Sequence, residues 1–341
     1  MSAPDQPPAA ADRDPVDEFD WIDRCLRPLA AGAPEAFGLL DDAAAIPGRP
    51  GFDLIISKDA IVEGVHFLPT DPLDRVARKL LRTNLSDLAA KGAEPYGYFL
   101  AIAWPPNSGW ERRRAFAAGL ADDQAAFGLK LLGGDTVSTP GPLMASATIL
   151  GWSPQGRMVP RGGARPGDVV LVTGSIGDGG LGLKAARGEG LGVPDVEAAW
   201  LKERYQLPRP RLGLGEALRT RAHAAADVSD GLIADAGRIA EASGVRLTID
   251  LARMPLSGAA AQWLVLQPDS VEARAALAAS GDDYEILCTA LPLAAPHLQA
   301  AAKALGLPLT EIGTVSAGSG VEVLAGVRRI RVQNRGWRHG R

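Results

Sequence analysis

Val169-Val-Leu-Val-Thr173-Gly174-Ser-Ile-Gly177-Asp-Gly-Gly180-Leu-Gly182 runs from an apolar, β-branched segment into a glycine-rich turn, with a helix expected to begin near Leu181. An apolar run this short and this uniform reads as a strand buried on both faces. A strand, a loop and a helix in that order is an α/β unit. A similar order stands earlier, where Leu54-Ile55-Ile56 and Ile61-Val62 read as two short strands broken by Ser57-Lys58-Asp59. A helix is expected after them from about Pro72 to Ala90, with Ala77, Leu81, Leu85 and Leu88 as its apolar stripe.

Working outward, Tyr98 to Trp104 reads as a strand, and Ser108 with Glu111 offers a capping box for a helix reaching about Phe127. Leu131-Leu-Gly-Gly134-Asp135 reads as a strand ending in two glycines and an aspartate, and Pro142–Trp152 as a further strand. In the second half, Asp227-Val-Ser-Asp230-Gly231 precedes a helix to about Ser243, Arg246–Leu251 is a strand, and Gly281-Asp282-Asp283-Tyr284 leads into the strand Glu285–Thr289. The expected class is α/β with mixed sheets. Arg161-Gly-Gly-Ala-Arg165-Pro-Gly-Asp168 is rich in turn formers, which places a domain boundary near 155. Residues 1–18 read as a disordered tail, 19–155 as one domain and 156–341 as a second.

At 341 residues the chain exceeds the size at which one core usually stops growing, in keeping with two domains. The net charge of −4 supplies no overall attraction to nucleic acid or an anionic membrane. Cys25 and Cys288 are too few for a disulfide framework and lack zinc-type spacing to the four histidines, so both are expected buried and reduced. Neither an export signal nor an apolar stretch long enough to span a bilayer is legible, so the cytoplasm is the expected location.

The chemistry gathers on acids beside apolar runs: Asp41-Asp42, Asp59, Asp87, Asp135, Asp227 with Asp230, and Asp282-Asp283. Hard cations such as Mg²⁺ take oxygen ligands, and phosphate-transferring sites hold them with a few carboxylates while phosphates complete the shell. Aspartates also cap helices and favour turns, so each site taken alone has an ordinary structural reading. Asp87 stands out, because an acid late in a helix opposes both helix propensity and the dipole. Asn84, Asp87 and Lys91 share one helix face, and Lys91 could simply pair with Asp87. The loop from Gly174 to Gly180 could offer backbone amides to an anion. Gly180-Leu-Gly-Leu-Lys-Ala185 fits a dinucleotide fingerprint only in letters, since its glycines come late after the strand and no following strand ends in the expected acid about 20 residues on. No Walker loop, protein-kinase motif set, serine elbow or Cys–His pairing is present.

In chain order, Leu40-Asp41-Asp42, Ser57-Lys58-Asp59 with Val62-Glu-Gly-Val-His66-Phe67, Asn84-Leu-Ser-Asp87, Gly133-Gly134-Asp135, Arg161, Asp227-Val-Ser-Asp230-Gly231 and Gly281-Asp282-Asp283-Tyr284 resemble the thiamine-monophosphate kinase family. That family lies within the aminoimidazole ribonucleotide synthetase-like superfamily, and the resemblance covers roughly residues 20–337. It implies a two-domain α/β enzyme whose N-terminal sheet pairs with that of a second subunit. It implies ATP as co-substrate, several Mg²⁺ ions and thiamine monophosphate as acceptor. By the family's pattern Asp41, Ser57, Lys58 through its backbone, Asp59, Asp87, Asp135, Asp227 and Asp230 hold metal. Gly134, Asp135, Arg161 and Ser229 meet ATP; His66, Asp282 or Asp283, and Trp337 meet thiamine monophosphate.

Three departures accompany it. Leu40 stands where the family usually has Gly, Lys58 where it often has Thr, and Ser280-Gly281 where it has Gly-Gly. Leu40 questions the tight turn there, and the Lys58 amine could crowd a metal or bind phosphate. Because the acceptor is itself a largely ionised phosphate, direct transfer with no general base and no phosphoenzyme is expected. The rival readings are an ATP-dependent ligase of the same superfamily and a non-catalytic nucleotide or cation sensor.

Overall fold

The computed structural model describes residues 16–106 and 108–337, so most of the expected tail of residues 1–18 lies outside the described residues. Its last residues do not belong to a tail, because Asp17 caps the short helix α1 (Glu18–Trp21), accepting from the amides of Phe19 and Asp20.

The first part of the chain continues through β1 (Phe52–Val62), α2 (Leu73–Lys91), β2 (Glu94–Trp104), α3 (Trp110–Phe127), β3 (Leu131–Ser138) and β4 (Met144–Pro154). These strands form a four-stranded sheet in the order β1-β4-β2-β3. The rest comprises β5 (Val169–Thr173), α4 (Asp178–Ala186), α5 (Asp195–Gln206), α6 (Gly215–Arg221), β6 (Ala222–Asp227), α7 (Leu232–Ser243) and β7 (Arg246–Asp250). It ends in α8 (Gly258–Val265), α9 (Ser270–Ala278), β8 (Ile286–Ala290), α10 (Ala295–Ala304), β9 (Leu309–Ser316), β10 (Gly320–Ala325) and β11 (Arg328–Ile330). A seven-stranded mixed sheet takes the order β11-β10-β7-β9-β5-β8-β6. The expected mixed α/β class therefore stands.

Two compact units divide the described chain: one of residues 16–48, Lys58–Leu81 and Tyr96–Thr148, the other of Arg49–Ser57, Arg82–Pro95 and 149–337. In the first, Trp104 packs edge-to-face against Trp21 and against Phe116, each at 5.7 Å between centroids. In the second, β5 is buried along its whole length, as its uniform apolar run requires.

Several boundaries differ from the sequence reading. Ser57-Lys58-Asp59 does not interrupt a strand; β1 passes straight through it. Its side chains alternate, leaving Leu54, Ile56, Lys58 and Ala60 exposed, so polar residues sit on a half-covered edge strand at little cost. β3 likewise continues beyond Gly133-Gly134-Asp135. A Cβ at Gly134 would lie 1.8 Å from the Leu100 carbonyl, so this glycine serves close approach to β2 and not strand termination. The Ser108 capping box does not form: Gly109 occupies the N-cap and, among the described residues, no side chain caps α3. Helix α4 begins at Asp178, three residues before the expected start, after Gly177 at φ 95°, a left-handed conformation that suits glycine.

Candidate active site

In the first unit, Asp41, Asp42, Gly134 and Asp135 line one cavity of about 310 Å³, together with Leu100 and Thr136. The turn before it places its left-handed residues at Phe37, Gly38 and Leu39. Leu40 follows at φ −108°, a conformation open to any residue, so the departure at position 40 needs no glycine. Strand alternation puts Ser57 and Asp59 on one face of β1 and Lys58 on the other. There the Lys58 Nζ donates to Thr148 Oγ1 on β4 at 3.4 Å. Its amine is therefore turned away from the face carrying Ser57 and Asp59. His66 accepts at Nδ1 from the Val62 amide at 3.1 Å, and its carbonyl accepts from Lys79 Nζ.

In the second unit, the Ser57 hydroxyl donates to the Asp87 carboxylate, bringing two expected metal ligands together. Asn84 on the same helix is fully buried. Lys91 does not take up the simple pairing with Asp87; its Nζ donates to the Ala225 carbonyl at 2.6 Å. Burial pushes the Lys91 ammonium down to about 8, with Arg161 acting in the same direction and Asp227 and Asp87 opposing it.

Ser229 and Asp230 sit in a turn whose two amides donate to one carboxylate oxygen of Asp235, at 3.1 and 3.0 Å. Arg238 bridges Asp235 and Asp230. Asp230 is thus held by a cation of the chain itself. The Trp337 amide donates to the Asp230 carbonyl at 2.9 Å, bringing Trp337 to the same turn, and its side chain is exposed.

The acids at 282 and 283 part company. Asp283 is fully buried and accepts from the Gly177 and Gly179 amides at 2.8 and 2.9 Å. The glycine-rich loop that could have cradled an external anion instead donates to this internal acid, whose carboxyl burial holds well above its ordinary range. Asp282 and Tyr284, flanking it, stand at φ 67° and 52°, and the Tyr284 hydroxyl donates to Asp282. Non-glycine residues in this region persist where the surroundings over-determine them. Behind them Arg204 and Arg211 pair with buried Glu285.

Sequence reasoning missed Asp235, Arg238, Glu285, Arg204 and Arg211. Asp235 and Arg238 are spaced as one helix face, a signal that was present; the arginines near Glu285 come from a distant segment and gave none.

No three His, Cys, Asp or Glu side chains converge as a ready-made metal cluster among the described residues. The donors are oxygens in pairs or singly, which suits an ion completed by phosphate oxygens and water.

The model of the AIR synthase related protein N-terminal domain matches residues 40–153, and that of the C-terminal domain matches residues 165–326. A thiamine-monophosphate kinase of Caulobacter vibrioides is 56% identical over 98% of this chain and 93% of its own. The crystal structure of the thiamine-monophosphate kinase of Stenotrophomonas maltophilia K279a superposes with a TM-score of 0.79 at 36% identity, covering 90% of this chain and 96% of that one. AaThiL complexed with AMPPCP and TMP superposes at 0.75 with 28% identity, over 94% and 96% of the two chains. The chain belongs to the AIR synthase related proteins and, among them, to the thiamine-monophosphate kinase family.

Proposed function

We propose that the chain transfers the γ-phosphoryl group of ATP to the phosphate of thiamine monophosphate, giving thiamine diphosphate and ADP. The observation that carries this reading is the near full-length match to the Caulobacter kinase. The AaThiL complex with AMPPCP and TMP supports the same pair of substrates, with TMP taken as thiamine monophosphate.

The residue roles follow the family pattern. Asp41, Ser57, the Lys58 backbone oxygen, Asp59, Asp87, Asp135, Asp227 and Asp230 would hold Mg²⁺, whose chemistry is to offset phosphate charge and orient the two phosphates for in-line attack. Ser57 and Asp87 fit this role as adjacent oxygen donors. Asp230 fits it once Arg238 releases it. Gly134, Asp135, Arg161 and Ser229 are assigned to ATP. His66, Asp282 and Trp337 are assigned to thiamine monophosphate, since the Asp283 carboxylate is committed to Gly177 and Gly179. No nucleophile or general base is needed, because the acceptor oxygen is already anionic.

Two domains meeting near residue 155, a homodimer built on the N-terminal sheet and a cytoplasmic location complete the reading. The matched spans support the first. Exposed Leu54, Ile56 and Met144 on β1 and β4 support the second. No helix among the described residues is long and apolar enough to cross a membrane.

Incubation with ATP, Mg²⁺ and thiamine monophosphate, followed by chromatography, should yield thiamine diphosphate; its absence at ample enzyme sinks the reading. Incubation with γ-labelled ATP alone should leave no label on the protein.

A further inference from the structure

We infer that Lys91 is a positioning residue for the magnesium–nucleotide site, fixing the three segments that carry Asp87, Arg161 and Asp227 against one another. The inference rests on the kinase reading above and deepens it.

The strand β6 lies at the edge of the seven-stranded sheet, so among the described residues one side of its backbone has no strand neighbour. Buried or half-buried backbone groups there need other partners. At Ala225 they are found: the amide donates to the Pro160 carbonyl at 3.0 Å, and the carbonyl accepts from Lys91 Nζ at 2.6 Å. The Lys91 carbonyl in turn accepts from the Val159 amide at 3.2 Å. The three hydrogen bonds close a ring through the end of α2, the segment at 159–160 and β6.

Each corner of the ring stands close in sequence to a residue assigned to the reaction. Asp87 precedes Lys91 by one helical turn, Arg161 follows Val159 by two residues, and Asp227 follows Ala225 by two. On a strand a two-residue step keeps the same face, so Ala225 and Asp227 share one face of β6. Asp87 and Asp227 also favour the Lys91 charge, while Arg161 opposes it as a like charge. A fixed cation near both acids lowers the cost of holding their charges before any ligand arrives. A neutral side chain of similar length would keep the helix but leave the Ala225 carbonyl unpaired and the acids unscreened.

The test compares wild type, Lys91→Met and Lys91→Arg, with binding of Mg²⁺ and β,γ-methylene-ATP measured by calorimetry and melting followed in EDTA. Lys91→Met should melt cooperatively and bind the magnesium–nucleotide about tenfold more weakly, as loss of one charged hydrogen bond allows. Its KM for ATP should rise with the binding loss while the KM for thiamine monophosphate stays fixed. Lys91→Arg should recover most of the binding. If Lys91→Met does not fold, Lys91→Gln replaces it under the same criterion. Unchanged nucleotide binding in the folded variant, an equal rise in both KM values, or no recovery with arginine overturns the inference. Failure of wild type itself to bind the magnesium–nucleotide would instead overturn the kinase reading and this inference with it. Product formation by wild type alongside unaffected binding in Lys91→Met overturns the inference alone.

Discussion

Asp235 is 2% exposed, and burial, with the Asp230 charge acting the same way, raises its carboxyl from 3.8 to about 6, more than Arg238 and the Asp230 amide offset. The folded state therefore holds this proton more tightly than the unfolded chain. Stability is unaffected below about pH 4 and falls as pH rises through the window from 3.8 to about 6, by on the order of 3 kcal/mol. Asp235→Asn keeps an acceptor for the Ser229 and Asp230 amides without the charge. In denaturant titrations it should match wild type near pH 4 and exceed it above pH 6; a constant difference across that range would count against the assignment. At Asp87, which accepts the Ser57 hydroxyl, Asp87→Asn should lower kinase turnover at least about tenfold while leaving the melting curve in place. The two thiols divide as their settings require. Cys288 is fully buried and pushed up to about 12, whereas Cys25 is only partly buried, correcting the expectation that both are interior. Maleimide at neutral pH should label Cys25 alone in the native protein and both residues in denaturant.

Elements with strong patterns were legible within a residue or two. Val169–Thr173 and the helix stripe of Ala77, Leu81, Leu85 and Leu88 are carried by burial that the residues themselves dictate, and all four stripe residues are fully buried. Elements whose state depends on a partner were not. Ala222–Asp227 is alanine-rich, a poor strand former, and is a strand because β8 lies beside it. Gly119 in α3 shows the same override. Helix propensity alone says that Gly119→Ala stabilises by up to about 1 kcal/mol. A Cβ there would lie 2.0 Å from the Asp74 carbonyl, so the packing must shift. Gly119→Ala is expected to destabilise by roughly 1–3 kcal/mol in urea unfolding, and a gain would show that α3 moves freely.

For the whole molecule, the apolar side chains left exposed on β1 and β4 predict self-association. Sedimentation should find a dimer, and Ile56→Asp, at a position 58% exposed, should shift it to monomer without loss of helical signal. A wild-type monomer at micromolar concentration would remove the dimer from the reading. By itself the sequence determined the α/β class and, through its ordered motifs, the family, and it supplied the acids as candidate oxygen donors. Those properties rest on residue type and local spacing, which a linear chain displays. Only the tertiary structure decided which acids act together and which are already satisfied: Ser57 on Asp87, Asp283 on two glycine amides, Arg238 on Asp230, and Lys91 on the open edge of β6. All but the Arg238–Asp230 pair, eight residues apart, join residues distant in the chain, and an acid bound to metal and an acid bound to its own backbone are the same letter until the fold places a partner beside them.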